Sequence, residues 1–200
     1  VDYNFYNDNK SKQFNNGTPQ LIFIGGLRKY KKIDELINAM PKLLLKYPKA
    51  NLQIIGEGSE SLKLSKIINE KKLDGFVELI GKQDKQQISL RLSSADIYVS
   101  ASRFETFSAS PLEAMASGLP VVLSEHPAHR ELIERSNAGK IFSYGNASEL
   151  CMKIEEVFEN KEDFSIKAKN FAMNNDWDYV TKQIVEVYQE VFDDYNVRCD

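Results

Sequence analysis

Hydrophobic positions along this chain fall into two alternating rhythms. Short apolar runs, rich in β-branched and aromatic residues, lie at 21–24, 52–55, 77–80, 97–99, 121–123 and 140–142. Each has the length and composition of a buried strand. Between them the spacing turns helical. Ile33, Leu36, Ile37, Met40 and Leu44 predict a helix, with Pro41 expected to interrupt it and Pro48 to close it. Leu64, Ile67 and Ile68 mark another. Asp84, with Gln87 three positions on, is an N-cap for a helix through Ile88 and Leu92. From Glu149 onward no strand signal remains and two or three helices follow. The last carries Trp177, Val180, Ile184, Val187, Tyr188 and Val191 on one stripe, with Asp176 as its cap; the simplest reading of that stripe is core packing.

Strand then helix, repeated, predicts an α/β fold: a Rossmann-like parallel sheet with helices on both faces. Such sheets bind ligands beyond the carboxyl ends of their strands, so chemistry is expected in the strand-to-helix loops. Glycines gather there: Gly25 and Gly26 after the first strand, Gly56 and Gly58 after the second, Gly81 after the third. Residues 1–19 are polar, with Gly17 and Pro19 near their end, and read as a linker entering the domain.

Composition narrows the picture modestly. The 200 residues suffice for one domain with a full core, and a net charge of -3 gives no basic excess for nucleic acid. No apolar run is long enough to span a bilayer, and Val1-Asp2-Tyr3 does not open a signal peptide. Cys151 and Cys199, far apart and unaccompanied, suit a reducing compartment, so a cytoplasmic location is expected.

The richest stretch runs from Ser102 to Val122, after the fourth strand. It holds Glu105 in a loop and Glu113, eight positions later, in the first turn of a helix. Ser110 reads as that helix's cap and Pro111 as its first residue. Phe107, Ser108 and Ala109 would then present backbone N–H groups at a helix N-terminus, a ready site for phosphate. A nearby carboxylate can hold sugar hydroxyls by accepting hydrogen bonds.

This stretch resembles the E-x7-E signature of the retaining glycosyltransferase family 4, whose members often read E-G-F-G-L-x-x-L-E-A-M-A-x-G-x-P-V. The chain keeps Glu105, Phe107, Leu112-Glu113-Ala114-Met115-Ala116, Gly118 and Pro120-Val121. Val1-Asp2-Tyr3-Asn4-Phe5-Tyr6 resembles the interdomain linker G-V-D-x-x-x-F. Ile24-Gly25-Gly26-Leu27 with Lys31-Lys32-Ile33 resembles V-G-R-L…K-G-I, and Ile55-Gly56-Glu57-Gly58 resembles V-G-D-G. Glu131-Leu132-Ile133 and Gly139 match later positions.

The resemblance implies the C-terminal, donor-binding half of a two-domain GT-B fold: a linker remnant at 1–19, a nucleotide-sugar-binding domain at 20–175, and at 176–200 a helix that crosses back to an N-terminal acceptor domain absent from this chain. It implies that Glu105 lies against the donor sugar and Lys31 against the diphosphate, the two catalytic candidates. Glu113 would take the ribose hydroxyls. Phe107, Ser108 and Ala109 would meet the diphosphate, with Gly25 and Gly26 in the same site, and Gly56, Gly58, Gly81 and Lys82 bordering the base. The donor would be a nucleoside diphosphate sugar, with no cofactor and no metal. A polysaccharide or glycolipid acceptor follows by the same resemblance, with peripheral membrane association of the full enzyme left open.

Three departures stand out. Gly26 replaces a customary arginine, for which Arg28 and Arg103 are the candidate substitutes. Ser108 replaces glycine. Ser124-Glu125-His126-Pro127-Ala128-His129-Arg130 stands where many members carry a small glycine-bearing loop, which bears on donor preference.

Other readings compete. Ser110-x-x-Glu113 is a capping box in its own right. Lys31 sits in a basic run of the kind that usually lines a wet surface. Gly56-x-Gly58 lacks the third glycine of a dinucleotide fingerprint, Ser61 standing in its place. His126-x-x-His129 reads as a surface loop rather than a metal site. A GT-B epimerase or phosphorylase, or a non-catalytic nucleotide-binding module, is the alternative function; a receiver-like module lacks its acidic cluster at Gly25-Gly26 and Gly81-Lys82.

Overall fold

The structure is a computed structural model that describes residues 1–7, 17–106 and 109–197. Six parallel strands form one sheet: β1 (Gln20–Ile24), β2 (Asn51–Ile55), β3 (Val77–Gly81), β4 (Ile97–Ser100), β5 (Val121–Ser124) and β6 (Gly139–Phe142). They lie in the order β3-β2-β1-β4-β5-β6. All six fall on the predicted apolar runs, within a residue at either end. The chain winds outward from β1 to β3, returns to pair β4 beside β1 (Leu21 opposite Ile97), and winds the other way to β6. The reversal between β1 and β4 opens a crevice at their carboxyl ends.

The helices are α1 (Tyr3–Asn7), α2 (Ile33–Lys46), α3 (Ser61–Glu70), α4 (Lys85–Ser94), α5 (Ala109–Ala116), α6 (Pro127–Ser136), α7 (Ala147–Glu159), α8 (Lys161–Met173) and α9 (Trp177–Val197). Alternate residues of each strand feed opposite cores. Leu21 and Phe23 pack with α2, α3 and α7, whereas Ile22 and Ile24 pack with α1, α4, α5 and α8. A strand covered on both faces needs no polar side, which is why β1 reads as an unbroken apolar run. Asp84 caps α4 as expected, accepting from Gln87 N at 2.8 Å.

Two expectations need correction. Pro41 does not end its helix: α2 continues through it to Lys46, one face held by buried Leu36, Met40 and Leu43. Within the segment read as a linker, Tyr3–Asn7 form α1 and pack on α5, with Tyr6 only 4% exposed. The stripe on α9 is not core packing. Trp177, Ile184, Val187, Tyr188 and Val191 are all exposed, because α9 runs away from the domain. No helix among the described residues is long and apolar enough to cross a membrane.

Candidate active site

Two loops meet at the crevice. After β1 the chain makes a 3₁₀ turn at Lys29–Lys31, then Lys32 takes a left-handed φ of 50° and starts α2. After β4 it runs through Ser102, Arg103 and Phe104 to Glu105. Arg103 N donates to Tyr30 O at 2.8 Å, and the Tyr30 and Phe104 rings meet edge-on at 6.0 Å. Those contacts bring Lys31 Nζ to 2.7 Å from Glu105 Oε1, with both side chains largely covered. A charge-assisted bond of this length outweighs an ordinary surface pair, so Lys31 is held over the crevice and is not part of a wet basic face.

The loop after β5 closes the third side. Ser124 Oγ donates to Ser102 O at 2.7 Å, tying this loop to the one after β4. His126 caps α6, its Nδ1 accepting from Ala128 N at 3.2 Å. A neutral imidazole has one acceptor nitrogen, so the longer approach of Glu105 N to His126 Nε2, 3.4 Å, cannot also be a hydrogen bond. His129 lies within α6 and is fully buried, which corrects its reading as part of a surface loop. Its Nδ1 lies 3.0 Å from Ser124 O and so carries the proton. Its Nε2 has no hydrogen-bond partner and stands 3.9 Å from Glu105 Oε1. Burial pushes the His129 pKa down to about 4, so the ring is neutral at pH 7.

Glu113 projects from α5, half-buried. Burial raises its pKa, while a hydrogen bond from the Tyr6 hydroxyl and the nearby Lys85 charge pull the other way. The helix starts earlier than the cap reading requires: Ala109 already belongs to it, so Ser110 and Pro111 lie in its first turn. The Ser110 hydroxyl bonds to the Tyr98 phenol, which also donates to Ile24 O at 3.3 Å. Ser110 therefore ties α5 to β4. Lys31, Glu105, Ala109 and Glu113 thus all lie on the two elements that flank the switch point.

A model of the family described as glycosyl transferases group 1 matches residues 4–175. The chain belongs to that family. Among curated relatives, the alpha-monoglucosyldiacylglycerol synthase of Acholeplasma laidlawii is 26% identical over 149 residues, covering 74% of this chain and 37% of the relative. The phosphatidyl-myo-inositol mannosyltransferase of Mycolicibacterium smegmatis is 27% identical over 176 residues, covering 86% and 45%. A solved structure of S. aureus TarM with fondaparinux, alpha-GlcNAc-glycerol and UDP superposes with a TM-score of 0.78 at 27% identity, over 92% of this chain and 37% of that one. Anabaena HepE with UDP and glucose gives 0.77 at 21% identity, over 94% and 55%, a likeness of fold. The chain thus spans about half or less of the curated relatives it matches, and its fold is that of one Rossmann-like unit of a GT-B glycosyltransferase.

Within this group 1 frame the remaining predicted positions can be placed. Gly25 and Gly26 follow β1 directly; Gly56 packs against Gly25 and Gly58 against Leu27. A Cβ on Gly56, whose φ is +138°, would lie 2.0 Å from Gly25 O, and one on Gly58 would lie 2.4 Å from Leu27 O. Any side chain there would push the β1 loop apart, so close backbone approach alone accounts for both glycines. Gly81 ends β3, and Lys82 is exposed, 3.9 Å from Glu57 Oε1. Phe107 and Ser108 lie outside the described residues.

The two arginines behave differently. Arg103 is committed elsewhere: its Nη2 bonds Glu35 Oε1 at 2.6 Å and its guanidinium lies 3.9 Å over the Tyr144 ring. Glu35 in turn accepts from Gly145 N at 3.0 Å, so this cluster joins α2 to the loops after β4 and β6. Arg28 is exposed, makes no ion pair among the described residues, and passes its Cγ 3.7 Å from where a Cβ on Gly26 would stand. A cavity of about 130 Å³ beside Thr106, lined by Leu112, Leu132, Arg135 and Phe171, includes none of Lys31, Glu105 or Glu113 and is too small for a nucleotide.

Proposed function

We propose that this chain is the donor-binding domain of a retaining, family 4 glycosyltransferase that uses a nucleoside diphosphate sugar. The observation that carries the reading is the Lys31–Glu105 pair at the switch point, with Glu113 on the helix that follows. In the transfer, the bond from the anomeric carbon to the diphosphate breaks, one to an acceptor oxygen forms, and the acceptor's proton passes to the departing diphosphate. Lys31 and the N-terminus of α5 face the charge that develops on the departing diphosphate. Glu105 receives hydroxyls of the donor sugar and Glu113 those of the ribose. The backbone at Phe107, Ser108 and Ala109 meets the diphosphate. Gly56, Gly58, Gly81 and Lys82 border the base. UDP in the TarM complex supports a nucleoside diphosphate as the ligand class, and the lipid-glycosylating relatives support a glycolipid or polysaccharide acceptor.

The reaction takes place in a cleft against a second domain of the same polypeptide. Two observations support that arrangement: the chain covers 37% and 45% of the relatives' lengths, and the apolar stripe of α9 is exposed among the described residues. Neither a cofactor nor a metal enters this scheme, and the protein works in the cytoplasm. Calorimetric titration with UDP, GDP and their sugars tests the reading. Micromolar to millimolar binding of one of them is expected, and failure of every nucleoside diphosphate to bind would overturn it.

A further inference from the structure

We propose that Tyr6 is a positioning residue for Glu113: its phenol, carried on α1 and buried against α5, orients the carboxylate for a nucleotide's ribose. The inference rests on the reading of Glu113 as the ribose-binding acid.

A five-residue helix has no stability of its own, so α1 is held by tertiary contacts. Tyr3 N donates to Asp176 Oδ2 at 2.7 Å, and Trp177 N donates to Val1 O at 3.0 Å. Asp2 Oδ2 accepts from Lys85 Nζ at 2.7 Å, and that ammonium lies 4.1 Å over the Phe5 ring. These contacts fix α1 against α4, α5 and the start of α9. They seat Tyr6 in the core cluster that also holds Leu112, Met115 and Ala116 of α5, the element α1 packs on. A phenol buried this deeply needs a partner for its hydroxyl, and the partner is Glu113.

The charged and titratable groups around Glu113 are few. Tyr6 comes from α1, Lys85 from α4, Tyr98 from β4, and the Val1 ammonium, which donates to Asn175 O at 2.9 Å, from the residues before α1. The Tyr98 hydroxyl is already engaged by Ile24 O and Ser110, and Lys85 by Asp2. Tyr6 is therefore the neutral donor left to hold the carboxylate's orientation. An ionised carboxylate has about four acceptor sites. One bond from Tyr6 leaves the others for the two hydroxyls of a ribose.

Tyr6→Phe keeps the ring and removes only that donor. The test compares wild type, Tyr6→Phe, Glu113→Gln and the double variant by UDP calorimetry from neutral to acid pH. It adds a carboxyl-detected NMR titration of Glu113 without ligand. Tyr6→Phe is expected to weaken UDP about five- to ten-fold, the scale of one ordinary hydrogen bond, because the bond lost orients Glu113 and does not touch the ligand. Its acid limb moves to higher pH, because Glu113 loses a donor that favours its charged form. The NMR midpoint moves the same way. In the Glu113→Gln background the substitution changes UDP affinity little. Equal losses in both backgrounds would assign Tyr6 to packing alone and overturn the proposal. So would UDP binding by wild type together with an unmoved Glu113 titration in Tyr6→Phe. No UDP binding by wild type, with a Glu113 titration that still responds to Tyr6→Phe, overturns the donor-site reading and leaves the pairing standing.

Discussion

Lys31 and Glu105, 74 residues apart in the chain, meet at 2.7 Å between Nζ and Oε1. The donor-site reading gives them different ligands, the diphosphate and the sugar. In the unliganded domain each therefore holds the other's charge. Diphosphate binding exchanges one partner of Lys31 for another, so the ammonium is already oriented when the donor arrives.

That pairing yields the first prediction. Lys31→Ala weakens UDP by roughly 1–3 kcal/mol, the scale of a lost charge-assisted hydrogen bond. Glu105→Gln removes the competitor for Lys31, so free UDP binds no worse, while the sugar-bearing donor binds less tightly. Calorimetry with UDP and UDP-sugars decides it; equal weakening of both ligands by Glu105→Gln would sink the assignment.

The two arginines separate in the second prediction. Arg28→Ala lowers UDP affinity and leaves the thermal midpoint near wild type. Arg103→Ala strips Glu35 of its 2.6 Å partner and uncovers Tyr144, costing about 1–2 kcal/mol of stability in this partly exposed cluster. Loss of UDP affinity from Arg103→Ala at unchanged stability would reverse the roles.

His129 gives a pH dependence. In the unfolded chain histidine titrates near 6.5; in the folded domain burial holds it at about 4. The unfolded state takes up the proton first. The contribution of the buried neutral ring is therefore full above about pH 6.5 and is lost as pH falls toward 4, by up to about 3 kcal/mol. Denaturant unfolding across that window checks it. His129→Gln, which cannot titrate, is expected to give a flatter curve, and parallel curves would refute the account.

UDP binding is expected to survive excess chelator, because the diphosphate is met by Lys31 and a helix N-terminus. Loss of binding with recovery on adding Mg²⁺ or Mn²⁺ would contradict this.

The 200-residue chain is expected to bind donor without transferring sugar, and to self-associate through the exposed face of α9. Sedimentation at rising concentration reads the second point. Val187→Glu, on that face and far from the crevice, is expected to restore the monomer; an unchanged profile would count against α9 as the sticky surface. Sugar transfer by these residues alone would overturn the half-enzyme reading.

The parts of this fold that were legible in sequence are those in which local chemistry and burial agree. β1, β4 and β5 lie in runs apolar on both faces, and Asp84 caps its helix with Gln87 in place. The motif register singles out Lys31 and Glu105 but not the 2.7 Å contact between them. What was not legible depends on partners distant in sequence. Tyr6 sits in a polar stretch and is buried only because Asp176 and Lys85 hold α1 in place. His129 was readable in part: a capping residue at His126 and proline at the first helical position announce α6, but its departure from a glycine-bearing loop drew the reading elsewhere. The α9 stripe has the period of core packing and no core to meet. Periodicity reports that a face is apolar, not what covers it.

The bonds from Tyr3 to Asp176 and from Trp177 to Val1 have a mechanical consequence. The 21 residues of α9 make a lever about 30 Å long, and its fulcrum lies at the fastening of α1. A body seated on the far end of that lever, if it rotates, exerts torque on Val1 and Tyr3. The same small helix transmits that torque to Tyr6 and from there to Glu113. The Glu113 side of the crevice is thus fastened, through α1, to the root of α9.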